Sequence, residues 1–136
     1  MVRTLSALLV GLICAIVIIL VIEWLSHQYY SFTFPDSNNT ELMKTFVNNL
    51  PFGAILWVLI AWIMGSFVGG FVASLIKYNI WISIGISLTI LCFSVINMLS
   101  FPHPFWIWIN AIFWIMPSGI CGHFASKLCY RIIIKH

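Results

Sequence analysis

From Phe52 to Ile76 the chain runs without a single charged side chain, and inside that run lies Gly65-Ser66-Phe67-Val68-Gly69-Gly70-Phe71-Val72-Ala73-Ser74. In a water-exposed helix each glycine costs roughly 1 kcal/mol against alanine. Yet Gly65, Gly69 and Ala73 recur at intervals of four, with Ser66, Gly70 and Ser74 beside them. Such rows let another backbone approach closely. In lipid, where apolar side chains gain little by leaving the tails, close approach is a main source of helix association.

Comparing the chain with itself suggests a partner. Shifted by 52 residues, Trp62-Ile63-Met64-Gly65-Ser66 lies over Trp114-Ile115-Met116-Pro117-Ser118, and Gly70, Ala73 and Ser74 lie over Gly122, Ala125 and Ser126. Seven of these thirteen aligned positions are identical. The expectation is an internal duplication of a helical hairpin, with the second and fourth helices crossing at their small-residue faces. The packing residues are then Gly65, Ser66, Gly69, Gly70, Ser74, Ser118, Gly122 and Ser126.

With 62% hydrophobic and 7% charged residues, the chain has far fewer charges than the quarter or so typical of soluble domains. Four segments can cross an apolar core of about 30 Å: Leu5 to Leu25, Phe52 to Ile76, Ile80 to Leu99 and Phe105 to Leu128. Each span must satisfy its own backbone groups, so these are helices. The predicted fold is an all-α membrane protein, one four-helix transmembrane bundle over residues 1–136, built from two hairpins, with an outer loop over 28–49. The first apolar run is too long for a signal-peptide core and no small-residue cleavage site follows it, so it reads as an uncleaved helix.

Basic residues favour the cytoplasmic side. If the spans alternate, Arg3, Lys77, Lys127, Arg131 and Lys135 share one side and Lys44 alone lies on the other, with Glu23, Asp36 and Glu41. Both termini are therefore expected in the cytoplasm. The net charge of +3 is a topology signal, since no basic groove interleaved with aromatics points to nucleic acid. The expected partners are the bilayer and either further copies of the chain or another membrane protein. Cys14, Cys92, Cys121 and Cys129 show no CxxC spacing and read as reduced packing residues.

Local signals fill in the connections. Pro35-Asp36-Ser37-Asn38-Asn39 marks a turn. Thr40 to Val47 reads as a short amphipathic helix on the membrane surface, with Leu42, Met43, Phe46 and Val47 toward lipid. Asn48 or Asn49 is expected to cap the second span, with Pro51 in its first turn. Pro117 cannot donate to the carbonyl of Phe113, so an interruption of the last span is expected. Trp62 and Trp114 are expected to fill the bundle.

The candidate chemistry sits at the outer side. Glu23 and His27, spaced i, i+4, share a face at the mouth of the first span. The connector bearing His103, the helix end bearing Asn97 and the loop bearing Asp36 arrive at the same level. Glu23, His27 and His103 would suit a transition-metal ion, and Asp36 and Asn97 complete a set for a small polar ligand. A carboxylate just inside a membrane span is expensive unless it is used or paired. The competing structural reading makes Glu23 and His27 a hydrogen-bonded pair that eases a helix end, and His103 a rigid turn residue. His123, on the small-residue face of the last span, reads as a neutral histidine bonded to a carbonyl or to Ser66 or Ser74. No nucleophile, phosphate loop or dinucleotide motif is present, so a catalytic role has no named residue.

Glu23-x3-His27-x2-Tyr30, an acidic turn near Asp36, Leu50-Pro51, Ala61-Trp62 through Gly65-Ser66-Phe67-Val68-Gly69-Gly70, Asn97, and Pro102-His103-Pro104-Phe105-Trp106 extend over nearly the whole chain. Together they resemble an uncharacterised group of small four-span bacterial inner-membrane proteins. The resemblance implies a fold and a bacterial source, and no activity. The chain departs from that group at Ser31, where a proline is expected.

Overall fold

The computed structural model describes residues 2–31, 40–101 and 103–134. It is all-helical over those residues: α1 Val2–Tyr30, α2 Thr40–Asn49, α3 Phe52–Ile76, α4 Ile80–Ser100 and α5 Phe105–Ile134. Four of these, all but α2, are long and apolar enough to cross a membrane, consistent with a multi-pass membrane protein. The expected turn at 35–39, with Asp36, lies outside the described residues, as do Pro102 and Lys135.

The hub is α3, which packs against α1, α4 and α5, whereas α1 and α5 do not meet among the described residues. Its two rows of small residues serve two different neighbours. Gly65, Gly69 and Ala73 face α1, where Ala7, Gly11 and Ala15 repeat the same interval of four and are buried. A Cβ on Gly69 would lie 3.0 Å from the Gly11 carbonyl oxygen and 2.9 Å from the Ala15 Cβ. The second row meets α5 and α4. A Cβ on Gly70 would stand 2.5 Å from the carbonyl oxygen of Gly119, and one on Gly122 would run into the carbonyl of Phe67. The crossing of the second and fourth spans is therefore present, but Gly65 and Gly69 belong to the first span instead. Adjacent i, i+4 rows lie side by side on one helix, and spacing alone does not say which neighbour takes which row.

A layer of buried hydroxyls lies where α3, α4 and α5 meet. Ser66 Oγ shares its one proton between Ser87 Oγ (3.0 Å) and the Ile115 carbonyl (2.9 Å), and Ser87 Oγ donates to the Ser83 carbonyl (2.9 Å). Ser83 Oγ donates to the Gly70 carbonyl (3.1 Å) and lies 2.9 Å from Ser74 Oγ, which lies 2.8 Å from His123 Nδ1. Each hydroxyl has one proton to give. Since Ser83 uses its proton on Gly70, Ser74 donates to Ser83, and His123 Nδ1–H donates to Ser74. The chain ends on a carbonyl, which has no proton to pass on. It fixes the His123 ring, stacked on Tyr78 with centroids 4.3 Å apart, in the role expected for a histidine bonded to Ser74. Ser118 and Ser126 turn back on their own helix, to the carbonyls of Ile115 (2.8 Å) and His123 (2.7 Å). Interhelical hydrogen bonds of this kind contribute on the order of 0.6–2 kcal/mol each.

The helix ends differ from expectation at several points. α3 has Pro51 at its N-cap with no side-chain cap, so neither Asn48 nor Asn49 serves. The Ala54 amide reaches the Pro51 carbonyl instead (2.9 Å). Asn79 caps α4 by accepting from the Trp81 amide (3.0 Å). At the other end of α3, Arg3 Nε donates to the Ile76 carbonyl (2.9 Å) and Lys77 Nζ to Thr4 Oγ1 (2.5 Å). Cations there complement the helix C-terminus and tie it to the start of α1. α5 continues through Pro117 without interruption. Trp114 is half exposed on its outer surface, with Nε1 donating to Asn110 Oδ1 (3.2 Å), so it does not fill the bundle. Trp62 does, at 4% exposure. All four cysteines are free, and Cys92 and Cys121 are exposed on the outside of the bundle and are not packing residues.

α1 stops at Ser31, whose φ of +48° is left-handed and whose amide closes on the His27 carbonyl (2.9 Å). A proline, fixed near −65°, cannot take that conformation.

The two glycine contacts give a direct test. Gly70→Ala and Gly122→Ala each force backbone apart and are expected to destabilise by about 1–3 kcal/mol. Gly85→Ala, whose Cβ would meet only Leu8 Cδ2 at 3.9 Å, is expected to be neutral or stabilising. Unfolding in mixed micelles, followed by circular dichroism, ranks the three.

Candidate functional site

The site is built at the end of the bundle where α1 finishes and α3 begins. On α1, Leu20, Glu23, Trp24 and His27 fall at i, i+3, i+4 and i+7, one helical face, and all four line a cavity of about 430 Å³. Ser26, buried at the same level, joins them. Across the cavity, Ala54, Ile55 and Val58 form one face of the first turns of α3. Ala54 is small, and that helps to leave the space. Phe46 and Val47 of α2, with Leu50, close one side, and Asn97 of α4 with Phe101 and His103 closes the other. Val47 is buried against the bundle, so this part of α2 faces the cavity and not lipid.

Four of the five expected ligand residues, Glu23, His27, Asn97 and His103, thus open on one space. Asp36 lies outside the described residues. The walls that the polar pattern did not reveal are the apolar ones: Leu20, Ile55, Val58, Val47 and Leu50. The stripe through Leu20, Glu23, Trp24 and His27 was the available signal, because it sets an apolar residue one turn below the carboxylate.

The polar groups differ in how far they are already used. Glu23 is half-buried, and its carboxyl makes no hydrogen bond or ion pair with the described residues, so the i, i+4 pair with His27 is not formed. His27 is exposed and has a partner of its own. His103 is half-buried, its ring 6.3 Å from that of Trp62, so the connector dips toward the core. Its Nδ1 lies 2.6 Å from the Phe101 carbonyl oxygen. A carbonyl only accepts, so Nδ1 carries the proton and a neutral ring offers its Nε2 lone pair. Tyr30 rests its hydroxyl against Gly53, where a Cβ would collide with it, and so pins the end of α1 to the start of α3.

No three histidine, cysteine or acidic side chains among the described residues are grouped closely enough to hold a metal ion. Glu23, His27 and His103 share a cavity without converging on a point, so the expected metal set is not assembled. What the arrangement does offer is an apolar chamber with a few separated polar groups, the usual make-up of a small-molecule site, and its volume lies within the usual range for one. Compared with protein-family models, curated proteins and solved structures, the chain matches none. The functional reading therefore rests on these residues alone.

Burial holds the His103 imidazole below its ordinary value of 6.5, with the Phe101 hydrogen bond acting in the opposite direction. The folded protein then binds fewer protons at this site than the unfolded chain does. The contribution is fully present above about pH 6.5 and is lost as pH falls below it. The unfolding midpoint is expected to drop between pH 7.5 and pH 5, and to drop less in His103→Gln. Equal slopes in the two proteins would show that His103 does not carry this dependence.

Proposed function

We propose that this chain is a small polytopic protein of the bacterial inner membrane that binds a small amphipathic molecule in its outer cavity. The observation that carries this reading is the convergence of Glu23, His27, Asn97 and His103, from distant parts of the sequence, on one apolar space. A purely structural role for these residues would have them bonded to one another. Instead Glu23 leaves its carboxyl open to the cavity.

In this proposal both termini are cytoplasmic, since Arg3, Lys77 and Lys127 lie toward the end opposite the cavity, and the positive-inside rule places that end in the cytoplasm. The hairpins descend from a duplication. Supporting it, Gly70 meets Gly119 while Gly122 meets Phe67, and these two contacts are exchanged by the 52-residue shift. Among the described residues the contact of α3 with α4 has no counterpart between α5 and α1, so in this proposal the halves have diverged in their packing. Any transport would follow from binding at the outer mouth, with several copies of so small a bundle forming the path. The alternative role, an assembly subunit of a membrane complex, predicts no ligand in the cavity.

Fluorine NMR of protein labelled with 5-fluorotryptophan in lipid nanodiscs tests the reading, because Trp24 lines the cavity. Its resonance is identified by its loss in Trp24→Phe. A set of aromatic amines, alcohols and acids of fragment size is expected to shift it saturably, and Ala54→Phe, which fills the space, is expected to abolish the shift. A Trp24 signal indifferent to every fragment, or equally responsive in Ala54→Phe, contradicts binding in the cavity.

A further inference from the structure

The unused valences of the cavity narrow the class of ligand, on the premise that the cavity binds a small molecule. Glu23 presents a carboxyl that carries no hydrogen-bond donor from the described residues. An unpaired charge at the edge of a membrane span is costly, and a cation brought by the ligand relieves that cost. His103, its Nδ1 proton already given to Phe101, presents an acceptor. No buried polar atom lacks a partner among the described residues, so Nε2 is not sealed away from the space it borders. His27, already engaged, carries no weight here.

The complementary ligand brings donors to both. Among the described residues no lysine or arginine lines the cavity, so an anion would find the Glu23 carboxyl and no counter-charge from them. Because no three histidine, cysteine or acidic side chains among the described residues are grouped to hold a metal ion, a single-atom cation would lack a full set of protein ligands. The walls between them are apolar, from Leu20, Ile55 and Val58, and favour a hydrocarbon or aromatic body. We propose that the outer cavity takes a protonated amine on an apolar body, with a second hydrogen-bond donor set apart from the charge. The ammonium pairs with Glu23 and the second donor with His103 Nε2, while Asn97, able to donate and accept, tolerates either end.

Four probes of one shape separate these contributions: tyramine, phenethylamine, 4-ethylphenol and 3-(4-hydroxyphenyl)propionate. Binding is read from the Trp24 fluorine signal in phosphatidylcholine nanodiscs, with Ala54→Phe as the blank for partition into lipid. Tyramine is expected to bind tightest. Removing its charge should weaken binding about tenfold or more, and removing its hydroxyl about two- to tenfold. The carboxylate probe should bind weakest. Glu23→Gln should erase the advantage of tyramine over 4-ethylphenol, and His103→Leu its advantage over phenethylamine. Equal affinities for all four probes, or preference for the carboxylate, overturn the amine assignment while leaving the cavity a binding site. Absence of any shift overturns both. If Glu23→Gln fails to fold, the order of the four probes on the wild-type protein decides alone.

Discussion

The structure depends on how closely the backbone of α3 can be approached from two sides at once. In hydrocarbon the usual gain from burying apolar side chains is small, and what holds helices together is contact area and the hydrogen bonds made at close range. Gly65 and Gly69 admit α1, and Gly70 admits Gly119 of α5. Everything else is arranged around that double contact. The serine layer forms only because α3, α4 and α5 are near enough for hydroxyls on different helices to meet. Arg3 and Lys77 then tie α1 to the C-terminal end of α3, where the exposed carbonyls favour cations.

The same geometry explains why the polar groups at the other end stay apart. Small residues bring the helices together along the middle and basic end of the bundle. Toward the opposite end α3 offers Ile55, Val58 and Ala54, and α1 offers Leu20, Glu23 and Trp24. Glycine is absent from that stretch of either lining face, so the backbones have room for a cavity between them. Two histidines thus come to opposite uses. His123 is buried at 4% exposure, with its Nδ1 proton donated into a chain that ends on Gly70. His103, whose side chain is among those lining the cavity, gives its Nδ1 proton to a neighbouring carbonyl on the connector.

Much of this was legible in the residues. Hydropathy marks the four spans because backbone satisfaction in lipid leaves few alternatives, and the i, i+4 rows mark the packing faces. The sharing of rows between α1 and α5 was not legible, since Gly65 and Ser66 are one residue apart on the same helix and the internal repeat pointed only toward α5. Glu23, His27, Asn97 and His103 were readable as an outer group from alternation of the spans. Their separation was not, because spacing along α1 fixes a shared face and says nothing of how far away the connector lies. Trp114 and Trp62 lie over one another when the sequence is shifted by 52 residues, yet one is outside and the other inside, a difference set by which neighbours each helix has.

The most direct test of the account is thiol reactivity at the outer third of α3. In a cysteine-free background, Ala54→Cys and Val58→Cys place a thiol in the cavity, whereas Leu59→Cys places one in the core away from it. Reaction with a charged, membrane-impermeant methanethiosulfonate is measured in right-side-out and inverted vesicles. The account predicts fast labelling of the first two from the outer side only, and none of the third. Ala54→Cys and Val58→Cys as unreactive as Leu59→Cys, or labelled from the cytoplasmic side, would contradict it.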